Sequence, residues 1–146
     1  MKAKLTWTGN MAFDGTADQH TVQMDAKSPI GKDTAMTPKQ MVLVGFAGCS
    51  AMDIVAYLKK YKQEYQSFEV EVEVQTSQGV HPAVFTKADL YYRLTGPVDH
   101  TKAFEAAHLS QTKYCGVSAM FSKAFPIEYH VFVNNEKVGS DFAKFE

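Results

Sequence analysis

Arginine is almost missing from this 146-residue chain: Arg93 is the one arginine among 15 basic residues. Bidentate recognition of phosphate or carboxylate by a guanidinium fork is therefore nearly closed to a single chain. Neither sign of charge forms a long block, and the formal charge is −1. That excludes a nucleic-acid binder that relies on a basic face and counterion release. The N-terminus has no apolar core of the kind a signal peptide needs, since Lys2 and Lys4 lead straight into alternating residues. The expected compartment is the cytoplasm. Cys-x-x-Cys and His-x-x-x-His spacings do not occur, nor do a phosphate loop, a dinucleotide fingerprint or a Gly-x-Ser-x-Gly elbow. No metal and no cofactor is expected. Repeats and low-complexity tracts are absent too.

Only two cysteines are present, Cys49 and Cys115, 66 positions apart. Each lies among small residues, Gly48-Cys49-Ser50-Ala51 and Cys115-Gly116-Val117-Ser118. Two meanings are open to such thiols. They are buried as small hydrophobes, or the fold joins them as a redox couple in which one attacks an oxidant and the other resolves the product. A structural disulfide suits a secreted chain, and nothing here signals secretion.

The pattern predicts one α+β domain over 1–146 with mostly antiparallel sheets. Three short strands fill the first 26 residues, and a loop with Ser28-Pro29, Gly31 and Asp33 covers 27–36. Thr37-Pro38 starts a helix that runs to Tyr61 or Lys62 and ends in lysines that complement its negative terminus. Gly45 and Gly48 leave two options for Cys49, a helix N-terminus or a mid-helix position. Between Met41 and Leu58 the only charge is Asp53, a run nearly long enough to span a membrane. The surrounding half-buried strand patterns argue instead for a central buried helix. Because it is apolar on every side, it needs covering all round, which predicts a homodimer packed across it.

Further on, Phe68, Val70, Val72 and Val74 alternate with Glu69, Glu71 and Glu73. The next strand sets Ala88, Leu90, Tyr92 and Leu94 on its apolar face, with Lys87 and Arg93 opposite as partners for the glutamates. Asp99 caps a helix from His100 to about Lys113, a second helical stretch covers Cys115–Lys123, and a strand covers Pro126–Val133. Residues 134–146 read as a polar tail. Of the histidines, His108 on an inner stripe is expected to be a satisfied core residue, and His130 to point outward.

The segment Thr37-Pro38-Lys39-Gln40-Met41-Val42-Leu43-Val44-Gly45-Phe46-Ala47-Gly48-Cys49, together with Lys113-Tyr114-Cys115-Gly116-Val117, resembles the signature of the OsmC/Ohr family. Gly48-Cys49-Ser50-Ala51-Met52-Asp53 is similar to its small bacterial branch. The resemblance implies an intertwined homodimer whose sheets wrap a long helix. It also implies thiol-dependent reduction of organic hydroperoxides, with Cys49 as the peroxidatic thiol, Cys115 as the resolving thiol and a dithiol reductant to recycle them. The family's activating pair, a glutamate about ten residues before the first cysteine and an arginine from the N-terminal region, has no counterpart. Lys39 and Gln40 occupy the glutamate's place, and no arginine precedes Arg93. Lys39, Gln40 and Asp53 are the candidates for an electrostatic or positioning role. Asp53 falls one helical turn after Cys49, where an ionised carboxylate opposes thiolate formation. The alternative function is a non-catalytic member of the fold, holding a small apolar ligand or sensing redox state at the dimer interface.

Overall fold

The computed structural model describes all residues, 1–146, and divides into two compact units, Met1–Val44 and Gly45–Glu146. The first unit is a three-stranded antiparallel meander, β1 (Lys4–Gly9), β2 (Ala12–Ala17) and β3 (His20–Met24). Its tight turns use residues that tolerate positive φ, Asn10 and Asp18, as predicted for a polar bend. A trough of about 340 Å³ on this sheet is lined by Leu5, Val22 and Met24 among others.

Asp25 organises the loop that follows. Its carboxylate accepts hydrogen bonds from the backbone N–H groups of Ala26 (2.7 Å), Lys32 (3.2 Å) and Thr34 (3.1 Å) and from the Thr34 hydroxyl (2.8 Å). Gly31 is required beside it, because a β-carbon there would run into the Ala26 carbonyl oxygen. The Thr34 hydrogen bonds, backbone first, hold Asp25 below the ordinary carboxylate pKa. A lowered folded-state value stabilises the loop above the unfolded carboxylate range, and that contribution is lost as pH falls through the lowered value. Protection of the Lys32 and Thr34 amides against hydrogen exchange, relative to their intrinsic rates, is accordingly expected to be lost as pH falls through the lowered Asp25 value, and Asp25→Ala to lack that protection at neutral pH as well.

Helix α1 (Pro38–Lys60) is continuous. Thr37 and Gln40 form a reciprocal capping box: the Gln40 side chain accepts from Thr37 N–H at 2.9 Å and Gln40 N–H donates to Thr37 Oγ1 at 3.4 Å. Gly45 and Gly48 do not break the helix, so Cys49 lies mid-helix. The expectation of a helix buried on every side is not met within one chain. Only Phe46, Ser50, Ile54 and Leu58, a row at four-residue intervals, are buried. Val42, Val44 and Met52 stay exposed. By length and composition α1 is apolar enough to cross a membrane, but its buried row belongs to the core of the second unit.

That core is built on a four-stranded sheet in the order β4 (Ser67–Thr76), β5 (Phe85–Thr95), β6 (Ile127–Val133), β7 (Glu136–Phe142). The β5–β6 pairing is parallel, joined through the helices, so the sheets are mixed rather than antiparallel throughout. Ala88, Leu90, Tyr92 and Leu94 of β5 are buried together with Ile127, Tyr129, Val131 and Val133 of β6. The residues read as a polar tail, 134–146, contain an edge strand. Asn134 and Asn135 both adopt positive φ (49° and 64°) and turn β6 into β7. Asn-Asn is a hairpin signal of the type that demands left-handed residues, but β7 has little apolar alternation to mark it as a strand.

Asp99 caps α2 (His100–Leu109), accepting from Lys102 N–H at 2.9 Å. The helix ends earlier than the apolar stripe suggests. Residues Ser110–Tyr114 widen into a π-helical turn, and α3 (Gly116–Phe121) follows with Cys115 as its cap. Such a turn admits one extra residue and re-aims the side chains after it. Here it buries both Ser110 and Gln111 and delivers Cys115 to the core.

Candidate functional site

Every residue of the candidate site belongs to the second unit. Cys49 projects from the middle of α1 and is half-buried, while Cys115 is completely buried. The two sulfurs come close enough to interact. Burial pushes the Cys115 thiol up to about 11, with hydrogen bonding to Cys49 and the charge of Cys49 adding to the rise. Ser118 opposes it: its N–H donates to the Cys115 sulfur at 3.4 Å. Cys115 rather than Cys49 thus holds the helix N-terminal position, and burial outweighs what that position offers a thiolate. Both thiols are free.

A polar network surrounds them inside an otherwise apolar core. Gln111 Nε2 donates to the Tyr92 hydroxyl at 2.9 Å. Burial drives the Tyr92 pKa far upward, and Ser50 and Gln111 beside its hydroxyl offset part of the rise. Ser50 Oγ donates to the Ala47 carbonyl at 3.2 Å. Two buried polar atoms, Gln111 Oε1 and Ser118 Oγ, have no hydrogen-bond partner. Sequence reading missed Ser110, Gln111, Tyr92 and Ser118. The available signal was two polar residues, Ser110 and Gln111, where a core helix should continue with apolar ones.

Asp53 is partly buried, and Ser110 Oγ donates to its Oδ2 at 3.0 Å. Burial raises its pKa, and the Ser110 bond offsets part of that rise. Ser110, from the π-helical turn, is therefore the partner of Asp53. Beyond Asp53 stands an aromatic rim. Tyr57 packs between Tyr61 and Tyr114, with ring centroids 5.7 and 5.4 Å away. Hydrogen bonding to Tyr114, then burial, lifts Tyr57 to about 12. Lys60, Lys102 and Lys113 lie over the Tyr57, Tyr61 and Tyr114 rings respectively.

The other candidates are placed differently. Lys39 and Gln40 sit on the first turn of α1, in the first unit, where Gln40 is engaged by the cap. His108 is half-buried rather than in the core, and its Nδ1 lies 2.9 Å from the Tyr129 hydroxyl. His130 is nearly buried, stacked on Tyr91 and 3.4 Å from Asp89. Asp89, Glu128 and His130 converge within 4.8 Å of one another. Lys87 already bridges the two carboxylates, at 2.9 and 3.1 Å, instead of pairing with the β4 glutamates. Arg93 does meet that row, through Glu71 at 2.8 Å.

The model of the OsmC-like protein family matches residues 31–130. The chain belongs to the OsmC-like family. Among curated proteins it is 34% identical over 131 residues to Protein YhfA of Escherichia coli (strain K12), covering 88% of this chain and 95% of that protein. A hypothetical protein from Aquifex aeolicus VF5 has a similar structure at 20% identity, with a TM-score of 0.80 and coverage of 99% and 96%. The organic hydroperoxide resistance protein OhrB of Bacillus subtilis superposes with a TM-score of 0.63 at 19% identity, covering 92% of this chain and 98% of that one. These two structures share the fold with this OsmC-like chain.

Proposed function

We propose that this OsmC-like chain reduces organic hydroperoxides with Cys49 as the attacking thiol and Cys115 as the resolving one. The supporting observation is their pairing: residues 66 positions apart meet, one half-buried and the other enclosed beside it. Cys49 takes the distal peroxide oxygen and becomes a sulfenic acid while the alcohol leaves. Cys115 then attacks that sulfur, expels water and closes a disulfide. A cytoplasmic dithiol returns both sulfurs to thiols. The aromatic rim and apolar surroundings suit fatty or aromatic hydroperoxides better than hydrogen peroxide. Stopped-flow consumption of cumene hydroperoxide with dithiothreitol tests this reading, and a wild-type rate no greater than that of Cys49→Ser ends it. The ligand-binding or sensing alternative predicts that result, together with a small apolar molecule retained through purification in native mass spectra.

The same reading includes a homodimer. Met52 projects from the middle of α1 with 76% of its surface exposed, and Val42 and Val44 are exposed too. Mid-helix apolar residues left in water call for a partner surface. Sedimentation of the wild type is expected to report a dimer. Met52→Lys, which forces an ammonium into that contact, is expected to weaken it by at least about tenfold.

A further inference from the structure

We infer that Asp53 carries the proton in this reaction, taking it from the Cys49 thiol and handing it to the departing alkoxide. The inference rests on the reading of Cys49 as the attacking thiol. Cys49 and Asp53 are four residues apart on an unbroken helix, which puts their side chains on one face a single turn apart. Ser110, fully buried on the π-helical turn that leads to Cys115, donates to Asp53 Oδ2 and fixes the carboxyl from the opposite element. Oδ1 has no hydrogen bond and is available to a proton. No lysine or arginine pairs with Asp53. Cys49 lies one turn before it and Tyr57 one turn after it on the same helix, and the charge of Asp53 reaches Tyr57; Tyr114 hydrogen-bonds Tyr57, and Lys60 and Lys113 are engaged at the tyrosine rings. Burial raises the pKa of the carboxyl, which makes its ionised form a stronger proton acceptor.

The step balances without another reactant. The Cys49 sulfur bonds to the distal oxygen as the O–O bond breaks. The sulfur is oxidised by two electrons, and the peroxide is reduced to an alcohol. The thiol proton travels through Asp53 to the proximal oxygen, and the distal oxygen keeps its own hydrogen as the sulfenic O–H. An activating cation stabilises a thiolate in advance. A carboxyl beside the thiol moves the proton during the reaction instead, a route that needs no arginine.

The test compares cumene hydroperoxide with peracetic acid in the full-length protein and in Asp53→Asn, which keeps an oxygen for Ser110. An alkoxide must be protonated as it leaves, whereas acetate leaves unaided. In Asp53→Asn the kcat/KM for cumene hydroperoxide is expected to fall on the order of 10²-fold. The peracid-to-hydroperoxide ratio is expected to rise at least about tenfold, and the hydroperoxide rate to climb with pH more steeply than in the wild type. The ratio is internal to each variant, so a partly folded preparation does not alter it. Asp53→Glu is expected to restore part of the lost rate. An unchanged ratio and pH profile in Asp53→Asn overturns the inference while leaving Cys49 in place. A wild type with no Cys49-dependent reaction toward either oxidant removes both.

Discussion

A Cys115→Ser protein mixed with cumene hydroperoxide is expected to react once per chain and stop, whereas Cys49→Ser is expected not to react at all. The asymmetry follows from access. Cys49 is half-buried on α1, and Cys115 has no exposed surface, so an oxidant from solution meets Cys49 first. The serine hydroxyl is a poor nucleophile toward peroxide oxygen at neutral pH, and Cys49→Ser removes the step on which every later one depends. With Cys115 replaced, the first step remains and the sulfenic acid has no partner thiol in its own chain. Dimedone is expected to label Cys49 in that variant stoichiometrically, and mass spectrometry reads the adduct. Labelling at position 115 in Cys49→Ser would reverse the two roles.

Disulfide closure is expected to accelerate about tenfold per pH unit between pH 7 and 10, because the attacking species is the Cys115 thiolate. With its thiol pushed up to about 11, about one Cys115 in 10⁴ is ionised at pH 7. The largest cause is burial, and oxidation of Cys49 does not remove it. Oxidation alters only the smaller contributions of Cys49, its hydrogen bond and its charge, while the Ser118 N–H remains on the sulfur. The sign is therefore the same in the reacting state: higher pH supplies the thiolate and speeds closure. Dimedone present during oxidation is expected to capture most chains at pH 7 and few at pH 9.5. Closure at a rate independent of pH would show that Cys115 is ionised before it attacks.

Much of the architecture could be read from local pattern. Alternation in Phe68–Val74 and Ala88–Leu94 marks β4 and β5 with their inner faces, and Thr37-Pro38 and Asp99 mark two helix starts. β7 escaped because Lys137, Ser140 and Asp141 break the apolar alternation of an edge strand, so only its Asn134-Asn135 turn carried a signal. The parallel β5–β6 pairing escaped for another reason: direction depends on where an intervening helical segment returns the chain, which no window of residues reports. The site divides in the same way. Both cysteines and Asp53 stand out in the sequence. Ser110 and Gln111 matter because five residues, Ser110–Tyr114, take an extra-wide turn, and that turn is settled by what surrounds it.

From sequence alone follow the element types, the two thiols, the family resemblance and the lack of its activating arginine. These are properties of neighbouring residues and of composition. Tertiary structure alone decided that Cys115 is the enclosed thiol, that Ser110 grips Asp53, and that one row of α1 is covered while Met52 is left in water. Burial and pairing arise between segments distant in sequence. Desolvation of the Cys115 thiol and fixing of the Asp53 carboxyl therefore exist only once those segments have packed.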